Sequence, residues 1–179
     1  MDKKTEGLES ITTTTSEEPL DKCIEFLTRI GISTRLGKVP ANSFLPGLSI
    51  EEGCIIIDRE SLKYPGDILH EAGHIAVVPA AERVGLTATL IEKRASREAE
   101  EMMAIAWSYA ACIHIGLDPY FVFHDDGYKD GGGYIADNFK EKKYFGLPML
   151  QWIGLTADEK NAGILQIEPY PHMLKWLRD

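Results

Sequence analysis

The 179-residue chain has few cysteines, no run of basic residues and no long apolar stretch, and each shortage excludes a class of protein. Cys23, Cys54 and Cys112 are an odd number without CxxC spacing, which argues against a disulfide framework and against a cysteine zinc site and fits a reducing cytoplasm. Acidic residues outnumber basic ones 28 to 19, for a formal net charge of −9. Without basic clusters to neutralise phosphates, the chain is not expected to grip nucleic acid or an anionic membrane surface directly. No window approaches the roughly 18 apolar residues of a membrane span. The leading MDKKTEGLESITTTTSEEP lacks the apolar core of a signal peptide and reads as a disordered tail over 1–17, its threonine run at 12–15 being the one low-complexity piece. No internal repeat is found. A hydrophobic content of 44% then supports one compact domain over 18–179.

Against this background residues 70–74, HEAGH, stand out. A helix turns about 100° per residue, so His70 and His74 lie one turn apart on one face and can reach a single metal ion. A catalytic zinc ion takes three protein ligands and keeps a fourth position open. Glu71, beside the first histidine, is placed to take a proton from water in that position. The surrounding DILHEAGHIAVV is apolar apart from the motif and Asp67. Two core histidines beside a glutamate are the plainer alternative, but burying three such side chains in one turn without a partner costs several kcal/mol.

The third ligand must come from downstream. A metzincin would continue HExxHxxGxxH, but Val77 and Ala80 occupy the glycine and third-histidine positions. A gluzincin takes a glutamate from a second helix, and REAEEMMAIAWSYAACIHIG, ending at Gly116, offers Glu98, Glu100 and Glu101. Glu101 shares a stripe with Ala104, Ser108 and Cys112, whose small side chains allow close helix approach; Glu100 aligns with Trp107, and Glu98 with Met102, Ile105 and Tyr109. Glu101 is therefore the expected ligand, Glu100 the second choice, and the zinc set is His70, His74 and Glu101. The acidic cluster could also be charge complementarity at a helix N-terminus.

The remaining elements follow from periodicity and punctuation. Leu20, Cys23, Ile24, Leu27 and Ile30 recur at helical spacing up to Gly31. Residues 33–57 read as short β runs, with Cys54–Ile57 a buried strand. Asp67 is a plausible cap for the HEAGH helix, which Pro79 closes, and 81–96 reads as a polar loop. In FVFHDDGYKDGGGY, His124 or Tyr128 could donate a hydrogen bond to an oxyanion, and Asp125 or Asp126 could reach a metal; equally, the segment could be a polar surface loop. His114 reads as a packed core histidine. YFGLPMLQWIGL and YPHMLKWLRD read as short covering helices, with Trp152 and Trp176 serving packing.

The succession of GCIIID, a polar turn, DILHEAGH and a glutamate-rich, small-residue helix resembles the compact gluzincins of the ImmA/IrrE type over roughly residues 50–110. Those are intracellular metallopeptidases, several of which act on transcriptional regulators. The resemblance implies zinc ligands at His70 and His74, a catalytic Glu71, a glutamate ligand on the next helix and a peptide or protein substrate. The expected architecture is an α+β, zincin-like domain with a small, mostly antiparallel sheet beside two central helices. Two other readings use the same residues: a non-catalytic zinc-binding regulatory or interaction protein that retains the fold, and a hydrolase of non-peptide amides.

Overall fold

A computed structural model describes residues 17–43 and 45–179. The expected tail thus lies almost wholly outside the described residues. Helix α1 (Glu17–Ile30) buries Leu20, Cys23, Phe26 and Leu27. It ends where the spacing predicts: Gly31 takes φ +90°, and the Ile32 and Gly31 amides donate back to the carbonyls of Leu27 and Thr28.

Three short strands follow, β1 (Ser33–Leu36), β2 (Leu48–Glu51) and β3 (Cys54–Ile57), in the order β1-β3-β2. β2 and β3 form a hairpin through Glu52 and Gly53, both at positive φ (49° and 73°), the backbone of a tight two-residue turn. β1 lies on the other edge of β3 and runs parallel to it. The sheet is therefore mixed, and the expectation of a mostly antiparallel sheet is corrected. The hairpin occupies one edge of β3, so β1 takes the other; Leu36 and Leu48 both pair with Ile57, so the 37–47 connection joins β1 to β2 at one end of the sheet and gives β1 the direction of β3. Ile55, Ile56 and Ile57 are all buried, as suits a central strand.

Helix α2 (Asp67–Val77) carries the motif, and α5 (Arg97–His114) packs across it. Gly66, not Asp67, is the N-cap of α2; Asp67 is the first helical residue, and its side chain bonds elsewhere. The stretch 81–96, expected as a loop, holds α3 (Ala80–Arg83) and α4 (Ala88–Glu92), the latter capped by Thr87, whose hydroxyl accepts from the Leu90 amide at 3.2 Å. Helix α6 (Gly132–Lys140) was not anticipated, since it starts within a glycine run. Helix α7 (Leu147–Trp152) falls in a segment expected to be helical, and α8 (Glu159–Leu165) is capped by Asp158.

Other expectations are overturned toward the chain end. YPHMLKWLRD is not helical: Thr156 bridges Met173, the Trp107 indole N–H donates to the Trp176 carbonyl at 2.9 Å, and the Arg178 amide donates to the Ala76 carbonyl at 3.0 Å. Those bonds secure the last residues across α2 and α5. Trp152 is 89% exposed, so it does not serve packing. His114 is exposed because α5 leaves the core at its last residue; its ring rests beside Phe26 and Trp176. Among the described residues no helix is long and apolar enough to cross a membrane.

Candidate metal centre

The crossing of α2 and α5 builds the site. A Cβ placed on Gly73 would lie 2.8 Å from the Ala104 carbonyl oxygen and 3.0 Å from its Cα, so only glycine allows this approach without a shift. Glu101 lies three residues before Ala104 and shares its face. The two helices meet closely one residue before His74, and Glu101 is carried to the histidines.

The resulting geometry is compact. Nε2 of His70 lies 3.3 Å from Glu101 Oε1, Nε2 of His74 lies 3.3 Å from Oε2, and the two imidazole nitrogens are 3.2 Å apart. The possible ligand atoms of all three residues fall within 4.8 Å of one another. Two imidazole lone pairs so close, facing one carboxylate, repel unless a proton or a cation lies among them. In a tetrahedral zinc shell with bonds of about 2.0–2.1 Å, neighbouring ligand atoms sit about 3.3 Å apart, so this donor set fits the ion. Two imidazoles and a carboxylate are also the donor chemistry of catalytic zinc.

The three side chains are electrostatically coupled. Burial pulls His70 down, but the Glu101 carboxylate more than offsets it and holds the imidazole above its usual value. Burial and the neighbouring His70 press His74 down to about 3. Glu101 is opposed by its own desolvation, yet its hydrogen bond to His70 and the two imidazoles bring it to about 2. Glu71, adjacent to the cluster, is pushed up to about 7 by burial, against the pull of His70.

The other glutamates are accounted for. Glu100 is buried and gripped by Arg94 through two contacts, Nε at 2.6 Å and Nη2 at 2.9 Å, with the Ser96 hydroxyl donating at 2.7 Å. Arg94 also reaches Glu82 at 2.6 Å, tying α3 to the start of α5. Glu100 is thus an anchor, not the second ligand choice, and Glu98 is exposed. Helical phase explains the division, because one residue along α5 rotates the side chain by about 100°.

The 124–131 segment packs against the site. His124 Nε2 donates to Asp67 Oδ1 at 3.0 Å, and its ring stacks on Tyr64 at 3.8 Å. Tyr128 meets the His70 ring edge-on at 5.4 Å. Its phenol is driven well above its usual value by burial and then by the charges of Asp67, Glu101 and Glu71. Tyr128, Lys129 and Asp130 all have positive φ (56°, 56° and 65°), a conformation costing about 1–2 kcal/mol per non-glycine residue. Asp125 is exposed, while Asp126 accepts from the Tyr64 hydroxyl and pairs with Lys63, so neither joins the cluster. Asp67 and Tyr64 are the site-lining residues that sequence reasoning missed. Asp67 stands three residues before His70 on the same helical face, a signal the capping reading concealed.

Compared with known protein families, curated proteins and solved structures, the chain matches none.

Proposed function

We propose that the protein is a zinc metallopeptidase in which His70, His74 and Glu101 hold the ion and Glu71 is the general base. The observation that carries this reading is the 3.2–3.3 Å spacing of three ligand side chains from two helices, with Glu71 directly beside the first histidine. Bound there, zinc would polarise a carbonyl and bring the pKa of a water molecule to about 7. Glu71 takes a proton from the attacking water and delivers it to the amine nitrogen as the C–N bond breaks. Glu101 and the two histidines contribute a net charge of −1, leaving a zinc site net positive and suited to stabilising negative charge on the carbonyl oxygen.

The mixed α+β architecture, with the motif helix crossed by a glutamate-bearing helix, supports a zincin-like fold and the resemblance to the ImmA/IrrE-type gluzincins. The unpaired Cys23, Cys54 and Cys112 fit a cytoplasmic setting. The substrate class is a peptide or an unfolded protein segment. The test is zinc-loaded wild type and Glu71→Gln on a mixed peptide library, read by mass spectrometry. Wild type is expected to cleave, and Glu71→Gln to bind zinc equally and be slower by about 10²–10⁴-fold. Equal cleavage by both would refute the mechanism, and the absence of zinc binding would refute the site.

A further inference from the structure

Three buried polar side-chain atoms have no hydrogen-bond partner among the described residues: His70 Nδ1, His124 Nδ1 and the Tyr128 hydroxyl. Buried polar groups are nearly always paired, so orphans gathered at one place need a reason. All three belong to the metal centre or to the segment packed on it. Tyr128 stands out among them because its hydroxyl can turn to meet an acceptor on an incoming ligand.

The segment that carries it is built to stay down without being relaxed. The His124–Asp67 contact fixes one end to the first turn of α2, the Tyr64 ring lies flat on His124, and Asp126 bonds the Tyr64 hydroxyl. A Cβ on Gly132 would fall 2.1 Å from the His124 carbonyl oxygen, so the return of the chain is tightly folded on itself. Between these anchors run three consecutive non-glycine residues in the left-handed region, beginning with Tyr128. Strain of this kind persists where surrounding contacts enforce it and favours release when those contacts break. His70 and His74 side chains are only 13% and 8% exposed. Glu101 is open at 37%, so the histidine side is the covered one, and reaching His70 there requires Tyr128, which packs on its ring, to move.

We propose that residues 124–131 form a lid over the metal centre, latched by His124 and Asp67, and that Tyr128 is its ligand-contacting residue, donating its hydroxyl to an acceptor oxygen brought to the metal. The ligand half of this proposal rests on the zinc reading above; the lid half does not. Tyr64, His124 and Asp67 act as positioning residues.

The two halves are tested separately. In metal-free protein, amide hydrogen exchange is expected to be faster over 124–131 than in α2 and α5, and His124→Ala to accelerate the segment alone. Exchange of these amides only together with α2 and α5 would overturn the lid, whether or not zinc binds. For Tyr128, the probe is acetohydroxamate titrated into zinc-loaded wild type and Tyr128→Phe, alongside the thermal midpoint of each metal-free protein. The hydroxamate is expected to bind about tenfold more weakly to Tyr128→Phe, with zinc affinity unchanged. The midpoint should stay equal or rise, because the variant removes an orphaned buried hydroxyl. A purely structural tyrosine would lower the midpoint and leave hydroxamate binding unchanged, and either result overturns the proposal. Protein that binds no zinc overturns the ligand role along with the zinc reading, while the exchange experiment still decides the lid.

Discussion

Gly73→Ala tests whether the helix crossing sets the metal centre. The added Cβ would stand 2.8 Å from a backbone oxygen on α5, and backbone cannot swing aside as a side chain can. Restoring an ordinary contact of about 3.4 Å moves the helices apart by about 0.6 Å, roughly three times the ±0.2 Å within which metal–ligand distances hold. Overpacking of this kind costs about 1–3 kcal/mol, and the better helix propensity of alanine returns about 1, leaving a net loss of about 0–2 kcal/mol. The larger effect falls on the metal, since His74 directly follows Gly73 and Glu101 lies one turn before Ala104. Zinc affinity, measured by competition with a chromophoric chelator, is expected to fall on the order of tenfold to a hundredfold. Gly163→Ala is the control: Gly163 is a helical position with nothing within 4 Å of the new Cβ, so stability should rise by about 0.5–1 kcal/mol and zinc affinity stay fixed. Wild-type zinc affinity in Gly73→Ala would refute the argument that close helix approach positions Glu101.

Two further outcomes follow from neighbouring residues. Glu101→Ala should lose stoichiometric zinc by elemental analysis, whereas Glu100→Ala should retain it and lose about 1–3 kcal/mol in urea unfolding, because Arg94 gives up its bidentate partner; zinc loss in Glu100→Ala alone would reverse the assignment. In metal-free protein Glu71 is raised from 4.5 to about 7, so the folded state binds the extra proton between these values and its contribution to stability is lost as pH rises through 7. Glu71→Gln should accordingly gain stability relative to wild type between pH 4.5 and 7 in urea unfolding, and a difference independent of pH would refute the shift.

Much of the site was legible because its signals are local. His70, Glu71 and His74 sit in one helical turn, and the stripe of Glu101, Ala104 and Ser108 is a matter of phase within one helix. The Cys54–Ile57 strand and the Gly31 stop were equally readable, one from a branched apolar run and the other from a glycine that can adopt positive φ. Where local chemistry was ambiguous the reading failed. The 81–96 stretch is polar yet twice helical, and α6 begins on glycines.

The sequence by itself determined which side chains share a face, since helical and strand periods are properties of the backbone alone. Only tertiary structure decided which faces meet. The role of Glu100 as an anchor required Arg94, six residues earlier, to be placed between it and Glu82 of α3, and the placement of Tyr128 required a strained loop more than fifty residues away to pack on the first turns of α2. The parallel entry of β1 depended on the 37–47 connection crossing past β3 at one end of the sheet to reach β2. The meetings of loop with helix and of strand with strand depend on long-range packing and burial, which no local pattern of residues encodes.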